Sequence, residues 1–241
     1  MTYDTLYVIG DSYTTPGLCV SIDDSYWTKF GNHINANNVI NHAHPGKNNR
    51  NMLRNAVRYV LENKNKKNFV LIGLTHLARI DYYSESKINS YNEKNGNYAE
   101  LHIHNYDYDK QHKNENDKWF VSLWSYNFQL ANLLTDIITT MSFFNANKID
   151  YLIHNCSVGI SEENHDPLVS SFTEEVNRDL KVLNLYKDSL YSLTYEKRIK
   201  PVDFDSYGWF GHHGKEGNDI YYQYLKKKYD SIYKGLENAT Q

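Results

Sequence analysis

A serine stands where an apolar run ends near the start of the chain. Residues 6–9 are rich in β-forming side chains and stop at Gly10-Asp11-Ser12, a pattern typical of a buried strand that ends in a turn. Ligands bind at the carboxyl ends of the strands in an open α/β sheet. A serine there can act as a nucleophile when a base takes its proton and donors stabilise the oxyanion. Ser12 is therefore the first candidate catalytic residue.

Three other residues could complete this chemistry. Gly46 follows a short predicted strand, Thr75 ends a second apolar run, and His212 precedes the last predicted helix. The backbone amides of Ser12 and Gly46 and the Thr75 hydroxyl could form an oxyanion hole. His212 could be the base, and the adjacent His213 is the alternative.

These motifs resemble those of the SGNH, or GDSL-type, hydrolases. The family has a strand followed by Gly-Asp-Ser, matched by residues 10–12, and a glycine in a second block, matched by Gly46. Its last block has a histidine with a glycine five residues later, matched by His212 and Gly217. The resemblance runs from about residue 5 to about residue 230. It implies a three-layer α/β/α fold in which the serine is the nucleophile.

Two blocks depart from the family's pattern. Thr75 stands where the family has an oxyanion-hole asparagine. The family's triad aspartate lies three residues before the histidine, and Trp209 occupies that position before His212. The imidazole could instead be oriented by Asp205, by Asp203, by a backbone carbonyl, or by no partner in a Ser-His dyad. We favour Asp205, because the intervening residues could loop back and return it to the histidine.

Polar residues near these blocks could bind substrate. Arg79 comes four residues after Thr75 and would face the same mouth if that segment is helical. It could pair with an acidic group of the substrate or brace the loop through a salt bridge. Asn48 could bind substrate, and both Asn48 and Asn49 could support the Gly46 loop through side-chain to backbone hydrogen bonds or be ordinary turn residues.

The chain has few features of a metal, cofactor or nucleic-acid protein. Two His-x-His pairs lack a matched set of carboxylates or cysteines, so we predict no metal site and no cofactor. Cys19 and Cys156 form neither a disulfide framework nor a Cys-x-x-Cys pair. The net charge is −3 without a dense basic stretch, which argues against a nucleic-acid partner.

Targeting signals are also missing from the sequence. The first residues lack the basic region of a signal peptide, and no segment of about 20 apolar residues predicts a membrane span. We therefore expect a cytoplasmic protein without a membrane partner, with incorporation into a virus particle or release by lysis as alternatives. The sequence does not predict the oligomeric state.

Strands and helices alternate along the chain. With 241 residues, 40 % of them apolar, we predict a single domain, residues 1–241. The alternation indicates a three-layer α/β/α sandwich around a mostly parallel, flavodoxin-like sheet. The predicted helices lie around residues 27–34, 49–61, 122–145, 172–183 and 217–236, and the predicted strands around 6–9, 39–40, 69–75 and 150–154.

One segment interrupts this alternation. Tyrosine, asparagine, lysine, histidine and acidic residues dominate residues 82–118, which therefore cannot form a core layer. A long insertion after the carboxyl end of a strand lies over the ligand site, so we predict a polar cap or lid. The alternative is a solvated excursion that does not contact substrate.

The resemblance includes lipases, thioesterases and carbohydrate O-acetylesterases. The polar cap disfavours a lipid interface, and the 22 tyrosines suit carbohydrate binding, because each ring has an apolar face and a hydroxyl. The expected function is a serine esterase that removes O-acetyl groups from a glycan or hydrolyses another small polar ester. The alternative is a catalytically retired binding or structural protein of a virion, since Gly-Leu-Thr followed by an arginine is similar to SGNH-type proteins of tailed phages. A nucleotide binder is disfavoured because no glycine-rich phosphate loop is present.

Overall fold

Strands and helices alternate in the structure as well. The computed structural model describes residues 2–15, 20–45, 47–77, 79–83, 98–102, 125–156, 167–183, 185, 189–197 and 213–235. The strands are β1 (Tyr3–Ile9), β2 (Ala36–Asn41), β3 (Asn68–Leu74), β4 (Arg79–Tyr83), β5 (Tyr98–His102) and β6 (Asp150–Asn155). The helices are α1 (Tyr26–His33), α2 (Asn49–Glu62), α3 (Tyr126–Ala146), α4 (Pro167–Arg178), α5 (Leu190–Glu196) and α6 (Lys215–Tyr229), and α6 continues into a π-helical turn (Asp230–Lys234).

Four of the strands form one parallel sheet in the order β2-β1-β3-β6. Leu6 lies opposite Val39 on one side and Phe69 on the other, and Leu71 lies opposite Leu152. Strands β1 and β3 have a neighbour on both sides, and nearly all of their residues are buried. Central parallel strands covered on both faces read as continuous apolar runs, which is why these strands were predictable.

Helices cover both faces of this sheet. On one face, α2, α3 and α4 pack against alternate strand residues that include Ile72 and Ile153. On the other face, α1 and α6 pack against Leu71 and Leu152, which precede Ile72 and Ile153 in the sequence. Successive side chains of a strand point to opposite faces, so each strand contributes to both cores. The predicted three-layer α/β/α sandwich with a flavodoxin-like parallel sheet is confirmed.

The amino ends of the strands carry a cluster of aromatic rings. Phe69 makes edge-on contacts with three tyrosines at centroid distances of 5.3 to 5.7 Å. The tyrosines are Tyr3, Tyr229 and Tyr233. The hydroxyl of Tyr233 also donates to the backbone oxygen of Tyr151 at 2.9 Å, so the C-terminal helical segment is fastened to β6. This cluster lies where the strands begin, at the opposite end of the sheet from Ser12.

The segment after Thr75 is a strand and not a helix. Arg79 begins β4, which pairs in antiparallel fashion with β5, so that Arg79 lies opposite His102. The condition under which Arg79 would face the same mouth as Thr75, a helical segment after Thr75, is therefore not met. The sequence Ile80-Asp81-Tyr82-Tyr83 explains the difference, because β-branched and aromatic residues favour strands. Most of the predicted cap, residues 82–118, lies outside the described residues.

The predicted helix over residues 172–183 also needs correction. Helix α4 covers Pro167–Arg178, and the chain then turns and runs beside β6. The backbone of Ile153 donates to Lys181 O at 2.9 Å and accepts from Leu183 N at 2.8 Å. The periodicity was misleading because Val182 and Leu183 are buried as a short parallel extension of the sheet rather than as a helical face.

The remaining predicted helices are found with shifted ends. Helix α3 begins at Tyr126, with the Ser125 side chain as its cap, rather than near residue 122. Helix α6 begins two residues before Gly217. Within the described ranges, none of the helices is long and apolar enough to cross a membrane.

Candidate active site

Ser12 lies in a tight turn at the carboxyl end of β1. The backbone amide of Thr14 donates to Asp11 O at 3.0 Å, and the amide of Thr15 donates to Ser12 O at 3.4 Å. Ser12 is half-buried, and none of the residues that the structure describes forms a hydrogen bond with its hydroxyl. The side chain that caps α1 is Ser25, so Ser12 is not a helix cap. Its backbone is held while its hydroxyl has no described partner.

The Asp11 side chain is fully buried beneath this turn. One carboxylate oxygen accepts from Tyr13 N at 3.0 Å, and the other accepts from the Thr75 hydroxyl at 2.5 Å. Hydrogen bonds to a carboxylate are stronger than those between neutral groups. Because a hydroxyl can donate only one hydrogen bond, and Thr75 donates its bond to Asp11 in this structure, Thr75 has none left to donate to an oxyanion.

Asn49 fixes the backbone of Thr75. Its side-chain oxygen accepts from Thr75 N at 2.7 Å, and its side-chain nitrogen donates to Thr75 O at 2.9 Å. This pairing joins the first residue of α2 to the end of β3, across the end of β1, which lies between β2 and β3. Asn49 therefore supports the Thr75 backbone, a partner that the sequence did not predict.

The loop after β2 lies directly beside the turn formed by residues 11–15, which we call the serine turn. His42 N donates to Val8 O at 2.8 Å, and His44 N donates to Gly10 O at 3.1 Å. The Asn41 side chain donates to Thr14 O, a backbone oxygen of the serine turn, at 2.8 Å. Gly46 lies outside the described residues, but the chain on both sides of it contacts the ends of β1 and β3.

Asn48 is the N-cap of α2, with 1 % of its surface exposed. Its side-chain oxygen accepts from Asn51 N at 2.9 Å. None of the residues that the structure describes accepts a hydrogen bond from its side-chain nitrogen. A buried amide that lacks one of its hydrogen bonds is costly, by about 1–3 kcal/mol, so this nitrogen calls for an explanation. The neighbouring Lys47 is buried too and donates to the Asn51 side chain at 3.1 Å.

Of the two candidate bases, only His213 falls within the described residues. His213 is buried, and its Nε2 lies 2.7 Å from the Thr194 hydroxyl. That hydroxyl donates to Leu190 O at 2.8 Å, so it accepts from the protonated Nε2 of His213. A Cβ on Gly217 would lie 2.5 Å from the Cβ of His213, which explains a glycine at this position. His212, Asp203, Asp205 and Trp209 lie outside the described residues, as do the side chain of Arg79 and the amide of Gly46.

A second histidine, His154, lies at the carboxyl end of β6 and is fully buried. Its Nδ1 is 2.6 Å from the hydroxyl of Tyr221 and 3.5 Å from the sulfur of Cys156. Burial lowers the pKa of His154 to about 3 and raises the pKa of Cys156 to about 12. Both side chains are therefore neutral at pH 7, so Cys156 is a thiol rather than a nucleophilic thiolate and His154 is a weak base.

The buried group of His154, Tyr221 and Cys156 also contacts the serine turn, through Thr14. The Thr14 hydroxyl lies 2.8 Å from the hydroxyl of Tyr26 and 3.5 Å from the sulfur of Cys156. A Cβ on Gly73 would lie 2.5 Å from that sulfur, so β3 needs a glycine here. This cluster was not predicted from the sequence, although a histidine and a cysteine at the end of an apolar strand are a signal for it.

The described residues contain no group of three or more histidine, cysteine, aspartate or glutamate side chains that could hold a metal ion. The candidate site comprises Ser12 on a fixed turn, the buried carboxylate of Asp11, and the N-terminus of α2, whose first residue bonds Thr75.

Comparisons with known proteins give structural similarity only. No protein-family model matches the chain, and no curated protein matches it. Solved structures similar to it include the psychrotrophic esterase EstA from Pseudoalteromonas sp., at 14 % identity, with 97 % of this chain and 99 % of that chain covered and a TM-score of 0.47. A member of the lipolytic protein G-D-S-L family from Veillonella parvula is 10 % identical, over 95 % and 98 % of the two chains, with a TM-score of 0.44. An acetyl xylan esterase, AlAXEase, is 12 % identical, over 95 % and 99 %, with a TM-score of 0.46.

Proposed function

We propose that the protein is a serine esterase for a small polar ester, with Ser12 as nucleophile and His212 as base. One contrast within the Gly10-Asp11-Ser12 turn carries the proposal. Two hydrogen bonds hold the Asp11 side chain, whereas no described residue bonds the Ser12 hydroxyl. A nucleophile needs this combination of a rigid backbone and an available hydroxyl.

The proposed reaction has two steps. Ser12 Oγ attacks the ester carbonyl carbon while its proton passes to His212. The carbonyl oxygen becomes an oxyanion that accepts hydrogen bonds from the backbone amides of Ser12 and Gly46. The bond to the alcohol breaks, and the alcohol leaves with the proton from His212. Water then attacks the acyl-enzyme by the same route and releases the acid, with Asp205 proposed to orient the imidazole.

Asn48 and Arg79 are proposed to bind the substrate. The side-chain nitrogen of Asn48 is buried and has no acceptor among the described residues, and it lies at the start of α2, where the helix dipole favours negative charge. A substrate oxygen would supply the missing acceptor. Arg79 begins β4 shortly after Thr75, and an acidic substituent of the substrate is its proposed partner.

The proposed substrate class is an O-acetylated carbohydrate. The support is compositional, because residues 82–118 are polar and rich in tyrosine, and such a segment suits a sugar better than an acyl chain. A small acetyl group also needs no long apolar groove.

One observation favours a second candidate, a retired enzyme that binds its ligand without turnover. The Thr75 hydroxyl donates its hydrogen bond to Asp11, which removes one donor from the proposed oxyanion hole. Loss of one such donor costs about 10²–10³ in rate, so binding without useful catalysis is a real alternative.

The test is covalent labelling with a fluorophosphonate, followed by mass spectrometry of the peptides. We expect a single label on Ser12, its loss in Ser12→Ala, and full labelling in Ser21→Ala, a matched exposed serine that bonds Asp24. Acetate release from an acetylated xylo-oligosaccharide, compared with a long-chain p-nitrophenyl ester, then tests the substrate class. Absence of label on folded protein, together with a rise in Tm on adding the oligosaccharide, would replace the esterase with the binding protein.

A further inference from the structure

The side chain of Asn218 joins two parts of the chain that lie far apart in sequence. Its nitrogen donates to His213 O at 2.9 Å and to Gly214 O at 3.1 Å. Its oxygen accepts from Tyr26 N at 3.1 Å. Only 5 % of its surface is exposed. One buried amide thus bonds three backbone groups at the start of α6 and the start of α1.

The α1 end of this bridge leads to the serine turn. Tyr26 is the first residue of α1, and its hydroxyl lies 2.8 Å from the hydroxyl of Thr14. The amide of Thr14 donates to Asp11 O and so closes the turn that contains Ser12. Tyr26 is therefore fixed to Asn218 through its backbone and to the serine turn through its side chain.

The α6 end of the bridge leads to the proposed base. His213 is held on its other side by its ring, which donates to Thr194, and it packs closely on Gly217. His212 is the preceding residue, so its backbone continues from this anchored point. A bridge between Tyr26 and His213 therefore limits how far the two catalytic segments can separate.

We propose that Asn218 is a positioning residue for Ser12 and His212. It sets their separation by joining the backbone at residues 213–214, directly after His212, to the start of α1. This inference rests on the proposed esterase function. A shift of about 1 Å between reacting groups can cost on the order of 100-fold in rate, so the bridge matters more for kcat than for substrate binding.

The test compares Asn218→Leu with a matched control, Asn68→Leu. Asn68 is also a buried asparagine, 3 % exposed, and donates to a backbone oxygen, Asn63 O, at 3.0 Å, but it lies at the amino end of β3. We expect Asn218→Leu to lower kcat for p-nitrophenyl acetate by about 10- to 100-fold, with KM changed by less than about threefold. Asn68→Leu should destabilise the fold and leave kcat per folded molecule unchanged.

A second variant covers the case in which Asn218→Leu does not fold. Asn218→Asp keeps the shape and the acceptor for Tyr26 N but loses both donors to the turn at residues 213–214. It should lower kcat while KM changes by less than about threefold, a split that a merely structural role would not produce. An active wild type with unchanged kcat in either folded Asn218 variant overturns the positioning role alone. A wild type without hydrolysis or labelling overturns the esterase, and the positioning role with it.

Discussion

The two edges of the central sheet at which its strands begin and end, the amino edge and the carboxyl edge, are built from different residues. At the amino ends, rings pack on one another at centroid distances of 4.9 to 5.7 Å, and the cluster comprises Tyr3, Phe69, Tyr229 and Tyr233. At the carboxyl ends, several buried side chains are polar and hydrogen-bonded, and they include Asp11, Thr14, Asn49, Thr75 and His154. Burial of rings is non-directional, whereas hydrogen bonds select one geometry. The comparison indicates that ring packing dominates at the amino ends, whereas directional hydrogen bonds fix the geometry of the candidate site at the carboxyl ends.

The largest expected effect on stability lies at the aromatic edge. Phe69→Ala removes the ring that all three tyrosines contact and should lower the free energy of unfolding by about 3–5 kcal/mol. Urea denaturation measures this loss, and kcat per folded molecule should stay at the wild-type value. Phe128→Ala is the control, because Phe128 is 61 % exposed and its loss should change the free energy by less than about 0.5 kcal/mol. A lower kcat in folded Phe69→Ala would show that the two edges are not independent.

The buried His154 predicts a pH dependence of stability that belongs to the polar edge. Its pKa is about 3 in the folded protein and about 6.5 in the unfolded chain. Below about pH 6.5 the unfolded chain therefore binds a proton that the folded protein does not, and the free energy of unfolding falls as the pH falls towards 3. The stability difference between wild type and His154→Gln should therefore shift by about 1.4 kcal/mol per pH unit below about pH 6, to the disadvantage of the wild type. Urea denaturation between pH 7 and pH 4 measures both curves. Parallel curves would mean that His154 is accessible to protons in the folded state.

A smaller effect is expected from the bond between Thr75 and Asp11. Thr75→Val preserves the shape but leaves the buried carboxylate with one donor fewer, which should cost about 1.5–3 kcal/mol of stability. Because the carboxylate lies behind Ser12, kcat should also fall. Thr75→Ser keeps the hydroxyl and is the control, with kcat near the wild-type value. Equal activity of the valine and serine variants would remove Thr75 from the account of the site.

Much of the fold could be predicted because local pattern decides it. The buried strands β1 and β3 read as apolar runs, and the serine turn followed from its glycine and aspartate. The prediction was wrong where a short apolar pair had two possible structures, as with Val182 and Leu183, which extend the sheet instead of a helix. Periodicity cannot separate these cases, because both bury the same side chains.

The contacts that hold the site were not predictable from the sequence. Asn49 and Asn218 looked like ordinary turn or helix residues, yet each bonds the backbone of an element distant in the chain. An asparagine in a turn gives the same sequence signal whether its amide faces water or a strand end. Only the order of the strands reveals that α2 reaches β3 across β1.

The most direct test of the central claim is the hydrolysis of p-nitrophenyl acetate by the wild type, Ser12→Ala and His212→Ala, with Ser21→Ala as control. We expect turnover by the wild type and Ser21→Ala, none above background in Ser12→Ala, and a collapse of kcat in His212→Ala. Circular dichroism confirms that each variant is folded. Equal rates for folded wild type and Ser12→Ala would contradict the account, because Ser12 would then not be the nucleophile.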